Sequence, residues 1–321
     1  MLFRSDQIII EPVNLASSAQ TFDMFSRYRF EGVIHAVGAH QAAQTRSANL
    51  ANYDMLFNCL QAAEGYGVKR FVLLSSVAAF AGLAPPFSEE KRYPVQAIID
   101  DSPDAFFVLN GPDGSRQLLV PRYEVCVKRT MEQIALDYAT PMQMGMAAHP
   151  YPNQQFSQHQ MDVAVLRLTT QFGPGYTHMG NPIALAIHTL AGRGNLMSGT
   201  GYANLPIPFL WNAAAQAPLL YVRDTAKALV AMMQSASLAH SVYHISSGYT
   251  TSPREQFLAL CGMRTDGPGL LQLDPETLRE ATYPTSSFNG DLLANDIGWR
   301  SGFSFEEAVE DYVAWLQDHS N

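Results

Sequence analysis

The chain has 321 residues, of which 47% are apolar and 15% charged; that composition excludes a disordered chain and leaves room for a large buried core. A net charge of −9 argues against non-specific binding to nucleic acid or to an anionic membrane surface. Apolar runs alternate with longer amphipathic stretches, the pattern of βαβ units around a parallel sheet.

In chain order, Gln7–Glu11 (QIIIE) is expected as a short strand and 18–28 as a helix. Gly32–Val37 (GVIHAV) is a buried strand ending in small residues, and 48–66 has helical periodicity through Leu50, Met55, Leu56, Cys59 and Leu60. Arg70–Ser75 is the next strand. Residues 83–121 are Pro-rich and irregular around a hairpin, AFFVLNGPDGSRQLLV, with Pro112-Asp113-Gly114 as its turn. Helix is expected at 124–139, strand at 162–168, helices at 183–191 and 225–234, and strand at 242–245. A last helix over 304–316 opens on a capping box, Ser304 and Glu307; its Val309, Tyr312, Val313 and Leu316 form a core stripe.

Other signals are exclusions. The opening MLFRSDQIIIEP is too short and too polar for a signal peptide. No stretch approaches the roughly 18 apolar residues of a membrane helix; the most apolar region, Leu205 to Val222, is broken by Pro, Asn and Gln. The nine histidines show no ligand spacing, so no metal is expected. Cys59, Cys126 and Cys261 lie among apolar neighbours, which predicts buried free thiols in a reducing compartment, the cytoplasm.

One constellation carries chemistry. Ser75-Ser76 ends an apolar strand, and Tyr123 and Lys128 stand at the start of a helix. A Tyr can exchange a proton with a carbinol or ketone, a Ser can polarise the same oxygen, and a Lys can draw the Tyr pKa toward working pH. Small residues after GVIHAV, Ala36 and Gly38, would allow a cofactor close to the backbone. Asp224 is expected to be structural, capping a helix that begins near Thr225.

Read together, these segments resemble the extended short-chain dehydrogenase/reductase family, the NAD-dependent epimerases and dehydratases. The resemblance rests on GVIHAVGAH, Asn49, VKRFVLLSSVAAFAG, YEVCVKRTMEQ, VLRLTTQFGPG, LLYVRDTAKALVAMM, YHISSGYTTSPREQF and GWRSGFSFEEAVEDYVAWL, nearly end to end. It implies an α/β, Rossmann-like parallel sheet with flanking helices and a smaller C-terminal substrate lobe. The domains would be 1–175, rejoined by 218–248, for the dinucleotide, and 176–217 with 249–321 for substrate. It further implies Ser76, Tyr123 and Lys128 as catalytic residues. Ala36, Gly38, Ser75, Lys128 and Thr170 would line an NAD or NADP. The partner would be a small molecule such as a sugar nucleotide, with no nucleic acid, no membrane and a possible homodimer.

The sequence departs from that family in four places. Family members open on a strand, a G-x-x-G-x-x-G turn and a helix that holds the pyrophosphate. No such turn stands before residue 30, so the expectation is a chain that starts at the family's third strand, with the first two strands missing between QIIIE and GVIHAV. Either the sequence is an incomplete copy, or QIIIE pairs directly with GVIHAV. Tyr123 and Lys128 are five positions apart where four is usual, about 140° around a regular helix against about 40°; a π-bulge would restore the alignment. Thr170 stands where an Asn near the nicotinamide is usual. Extra residues lie between Ser76 and Tyr123 and between Gly201 and Leu220.

Three functions stay open at this point. The first is an NAD(P)-dependent epimerase/dehydratase or dehydrogenase acting on a hydroxyl or keto group. The second is a non-catalytic or truncated family member without cofactor. The third is a sterol-like apolar carbonyl reductase, with FLW and LLYV of the 205–222 region lining a greasy pocket.

Overall fold

A computed structural model describes residues 8–38, 46–80, 83, 87–90, 106–110, 116–139, 161–176, 182–193, 219–247, 251–271, 273–278 and 290–319. At 46–49, 106–110, 116–124, 182 and 268 it describes the backbone alone. The chain divides into two compact units, 1–73 with 129–165 and 74–128 with 166–321.

The first unit opens on α1 (Ser18–Arg27), whose N-cap Ser17 accepts from the Gln20 N–H. Its buried Thr21 and Phe25 face inward, and the Asn58 amide donates to the Leu15 carbonyl at 2.9 Å. Asn58 belongs to α2 (Arg46–Gly65). Strand β1 (Gly32–His35) runs parallel to β2 (Arg70–Ser76), with Gly32 opposite Arg70 and His35 opposite Leu73. The first half of β5 (Asp162–Leu168) lies on the other side of β2, in the order β1-β2-β5. The Asp162 N–H donates to the Lys69 carbonyl, start beside start, as parallel strands require. Arg70 donates to Asp162 from both Nε, at 2.9 Å, and Nη2, at 2.6 Å.

Residues 8–11 correct an expectation. They form no strand, and Ile8, Ile9 and Ile10 are 51%, 72% and 91% exposed. A β-branched run favours extended backbone, but a strand exists only where a neighbour takes its hydrogen bonds. Among the described residues QIIIE does not pair with GVIHAV, and β1 has β2 as its strand neighbour.

In the second unit the latter halves of β2 and β5 continue and β8 (Val242–Ile245) joins, in the order β2-β5-β8. The Thr169 hydroxyl, just past β5, donates to the carbonyl of Ile245 at the end of β8, again end beside end. All four β8 residues and six of seven in β5 are buried, which explains why both strands are mostly apolar rather than alternating. Strands β3 (Phe106–Asn110) and β4 (Arg116–Pro121) form the expected antiparallel hairpin; its turn lies outside the described residues. A short parallel pair, β6 (Thr170–Phe172) with β7 (Leu219–Tyr221), follows β5.

Around these strands lie α3 (Arg122–Ala139), α4 (Pro182–Leu190), α5 (Val222–Gln234), α6 (Pro253–Gly262), α7 (Gly267–Leu271), α8 (Asp291–Ile297) and α9 (Phe305–Asp318). Ser304 and Glu307 make the expected capping box of α9, and Val309, Tyr312 and Leu316 join the core with Phe172, Ile187 and Phe257. A second capping box, Ser252 with Glu255 and Pro253 in the first turn, starts α6.

Leu219 and Tyr221 belong to this core; residues 205–218 lie outside the described residues. Helix α5 begins at Val222, three residues before the expected start, and Asp224 is not its N-cap. Its carboxylate is fully buried and accepts from the Ser301 hydroxyl (2.7 Å) and the Gly302 (3.2 Å) and Phe303 (3.3 Å) N–H groups. Asp224 is structural, as expected, but it caps a distant turn.

Candidate active site

The site begins with β2. Successive strand residues point to opposite faces, so RFVLLSS presents Ser75 and Ser76 differently: Ser75 is buried and Ser76 half-buried. The chain then tightens into a 3₁₀ turn, Val77–Phe80, and the Ala78 N–H donates to Ser76 Oγ at 3.1 Å. A hydroxyl has two acceptor lone pairs and one donor proton. The Ala78 bond occupies one lone pair, which fixes the oxygen and leaves the Ser76 O–H able to donate outward.

Tyr123 falls in the first turn of α3, and its side chain lies outside the described residues. Lys128, half-buried, lies farther along the same helix. The assignment over Arg122–Ala139 is α-helical throughout, with no π turn. Positions 123 and 128 therefore stand about 140° apart around the axis. Asn49 is described in backbone only, within α2.

Thr170 starts β6, half-buried, one residue beyond the buried Thr169. The turn that follows is built for close approach. Gly173 has φ 137°, and a Cβ there would stand 2.5 Å from Val222 Cγ1 and 2.8 Å from Tyr221 Cε2. Gly199-Thr200-Gly201 lies outside the described residues. In the first unit, Ala36, Val37 and Gly38 follow β1 and are exposed. A Cβ on Gly38 would meet nothing nearer than Asn52 Oδ1 at 3.7 Å, so the backbone there is open to approach.

A buried polar cluster behind Ser76 escaped the sequence reading. Arg167 of β5 and His244 of β8 lie against the ring of Phe80, and Glu89 bonds both of them. Burial, with Arg167 beside it, pushes the His244 pKa down to about 3, and burial raises that of Glu89. The available signal was an Arg inside an otherwise apolar strand, DVAVLRL, where a charge needs partners. Among the described residues no group of His, Cys, Asp and Glu could hold a metal, and no helix is long and apolar enough to cross a membrane. The three cysteines are free, Cys59 and Cys261 buried and Cys126 half-buried.

Within the second unit, the chemistry of the residues present fits one end of a nicotinamide dinucleotide. Ser75 and Thr170 are small hydroxyl residues beside strand ends of the second unit, and Lys128 stands on α3. No described residue is assigned to the pyrophosphate.

Comparison with known proteins agrees with this architecture. The chain resembles a UDP-glucose 4-epimerase from Thermotoga maritima solved with UDP-glucose, with a TM-score of 0.63 at 14% identity, covering 99% of this chain and 87% of that one. It resembles a GalE-like L-threonine dehydrogenase from Cupriavidus necator with a TM-score of 0.63 at 16% identity, covering 98% and 88%. A UDP-glucose 4-epimerase from Bifidobacterium longum in complex with NAD+ and UDP gives 0.62 at 14% identity, covering 97% and 83%. No curated protein sequence matches the chain. The model of the NAD dependent epimerase/dehydratase family matches residues 3–97 and 128–246, two thirds of the chain and both strands that flank the serine pair. The chain belongs to the NAD dependent epimerase/dehydratase family.

Proposed function

We propose that this chain is an NAD(P)-dependent epimerase/dehydratase or dehydrogenase acting on a hydroxyl or keto group of a sugar nucleotide or related small molecule. The observation that carries the reading is Ser76. Its oxygen is held by the Ala78 N–H and its proton remains available, at the end of a strand that the family match includes. Ser76 would polarise the substrate oxygen while Tyr123 takes or returns its proton. Ala36, Gly38, Ser75, Thr170 and Lys128 would hold the nicotinamide cofactor, which supplies or accepts hydride. Two structural neighbours, one solved with UDP-glucose and one in complex with NAD+ and UDP, support the substrate class.

The helical phase shapes the roles within that reading. With position 128 turned about 140° from position 123, Lys128 is better placed in this proposal as a ribose ligand than as the tuner of Tyr123. The same phase favours a second reading, a non-catalytic member of the family.

Titration calorimetry with NAD, NADH, NADP and NADPH separates the two. Saturable binding, followed by turnover of UDP-glucose or oxidation of L-threonine, supports the enzyme. A folded sample that binds none of the four supports the non-catalytic reading and removes the first.

A further inference from the structure

Arg167 is 1% exposed and is the last residue but one of β5. Its guanidinium carbon lies over the Phe80 ring, 4.8 Å from the centroid. Its Nη1 donates to the Glu89 carbonyl at 3.5 Å and stands 3.4 Å from His244 Nε2. His244 meets the same Phe80 ring edge-on at 5.5 Å, and Phe87 stacks on it at 5.0 Å. The Glu89 carboxylate in turn accepts from the His244 N–H at 3.4 Å.

A buried cation is costly, and an apolar residue of similar volume usually serves packing as well or better. This cation instead ties together three parts of the unit: β5, β8 and the segment after β2. Phe80, on which it rests, closes the 3₁₀ turn that Val77 opens. That turn carries the Ala78 N–H that holds Ser76 Oγ. A flat guanidinium can stack on the ring and donate in its own plane at once; an ammonium cannot.

We propose that Arg167 is a positioning residue: through the face of Phe80 it fixes the turn after β2 and hence the direction of the Ser76 hydroxyl. The role rests on the reading of Ser76 as the group that polarises the substrate oxygen.

The test compares the full chain with Arg167→Met, Arg167→Lys and Phe80→Leu by residue-resolved hydrogen exchange. Arg167→Met speeds exchange of the Ala78 amide about tenfold or more, while β5 and β8 amides such as Val165 and Ile245 keep their protection. Arg167→Lys, which keeps charge without the flat face, gives at most partial rescue. Phe80→Leu reproduces the Ala78 effect with the cation still present, and it decides the matter if Arg167→Met does not fold. Unchanged Ala78 exchange in a folded Arg167→Met or Phe80→Leu protein overturns the proposal, as does uniform loss of protection across β5 and β8.

The kinetic arm uses NAD with UDP-glucose. Arg167→Met lowers kcat with little change in KM, and it adds nothing further in a Ser76→Ala background; additive losses overturn the proposal. Ser76→Ala with full activity overturns the polarising role of Ser76 instead, a result separate from the exchange pattern.

Discussion

Asp224 and Ser301 stand 77 positions apart in the chain and are joined by a 2.7 Å hydrogen bond inside the protein. The same carboxylate takes the Gly302 and Phe303 N–H groups, immediately before the capping box that starts α9. Removing the fully buried acceptor takes a partner from the Ser301 hydroxyl and from two backbone donors, exposed Gly302 and half-buried Phe303, and leaves a gap where the carboxylate sat. Asp224→Ala is expected to cost about 3 kcal/mol, and Asp224→Asn, which keeps one acceptor oxygen, clearly less. Urea unfolding of both variants checks this. Equal losses would show that the acceptor oxygens are not what holds the turn.

Gly173 and Gly175 flank one proline but carry different constraints. A methyl at Gly173 strikes Val222 and Tyr221 at 2.5 and 2.8 Å, with φ at 137°. Gly175, at φ 82°, has open space around it. Gly175→Ala should cost about 1 kcal/mol, the ordinary left-handed penalty. Gly173→Ala adds a steric overlap and should cost about 3 kcal/mol. Melting temperatures of the pair rank them, and comparable losses would refute the contact argument.

How much of this was legible in the sequence follows from which interactions are local. Strands β2, β5 and β8 were visible because burial on both faces of a parallel sheet leaves mostly apolar runs rather than alternating ones. The α9 cap was visible because Ser304 and Glu307 satisfy each other within one turn. QIIIE misled because propensity gives an extended chain and says nothing of a partner; its isoleucines stand in solvent. The partners of Asp224 lie at 301–303, and no local pattern points there. Within the candidate site, Ser76 is proposed from the strand it ends. The cluster at Phe80 was not legible, because Phe80, Glu89, Arg167 and His244 come together only through tertiary packing.

That cluster makes stability depend on pH. His244 is held neutral, its pKa lowered to about 3 from an ordinary 6.5. Between those values the unfolded chain binds a proton that the folded one refuses. The His244 contribution is therefore complete above about 6.5 and is lost as pH falls toward about 3, at up to about 1.4 kcal/mol per pH unit. Glu89 works the other way. Its raised pKa favours the folded state below the ordinary carboxylate value and loses that advantage as pH rises through the folded value, so it offsets part of the slope at the acid end. Denaturant melts at about pH 7 and about pH 5 should show the loss, and His244→Gln should flatten it. The same slope in both proteins would place the effect elsewhere.

The three residues of the proposed chemistry separate by what each variant damages. Ser76→Ala removes a donor needed only when charge develops on the substrate oxygen, so kcat falls about a hundredfold with KM nearly unchanged. Tyr123→Phe removes the proton-transfer group and should lower kcat as much or more, leaving the cofactor dissociation constant alone. Lys128→Met behaves differently. Its position on an unbroken α-helix, about 140° from Tyr123, removes it from the proton path, and the loss should appear as weaker cofactor binding, about tenfold. Calorimetry with NAD and steady-state kinetics on the same three proteins distinguish these outcomes. A Lys128→Met protein that binds NAD normally but has lost kcat would mean that the lysine reaches the tyrosine after all, through a local change in helix geometry on binding.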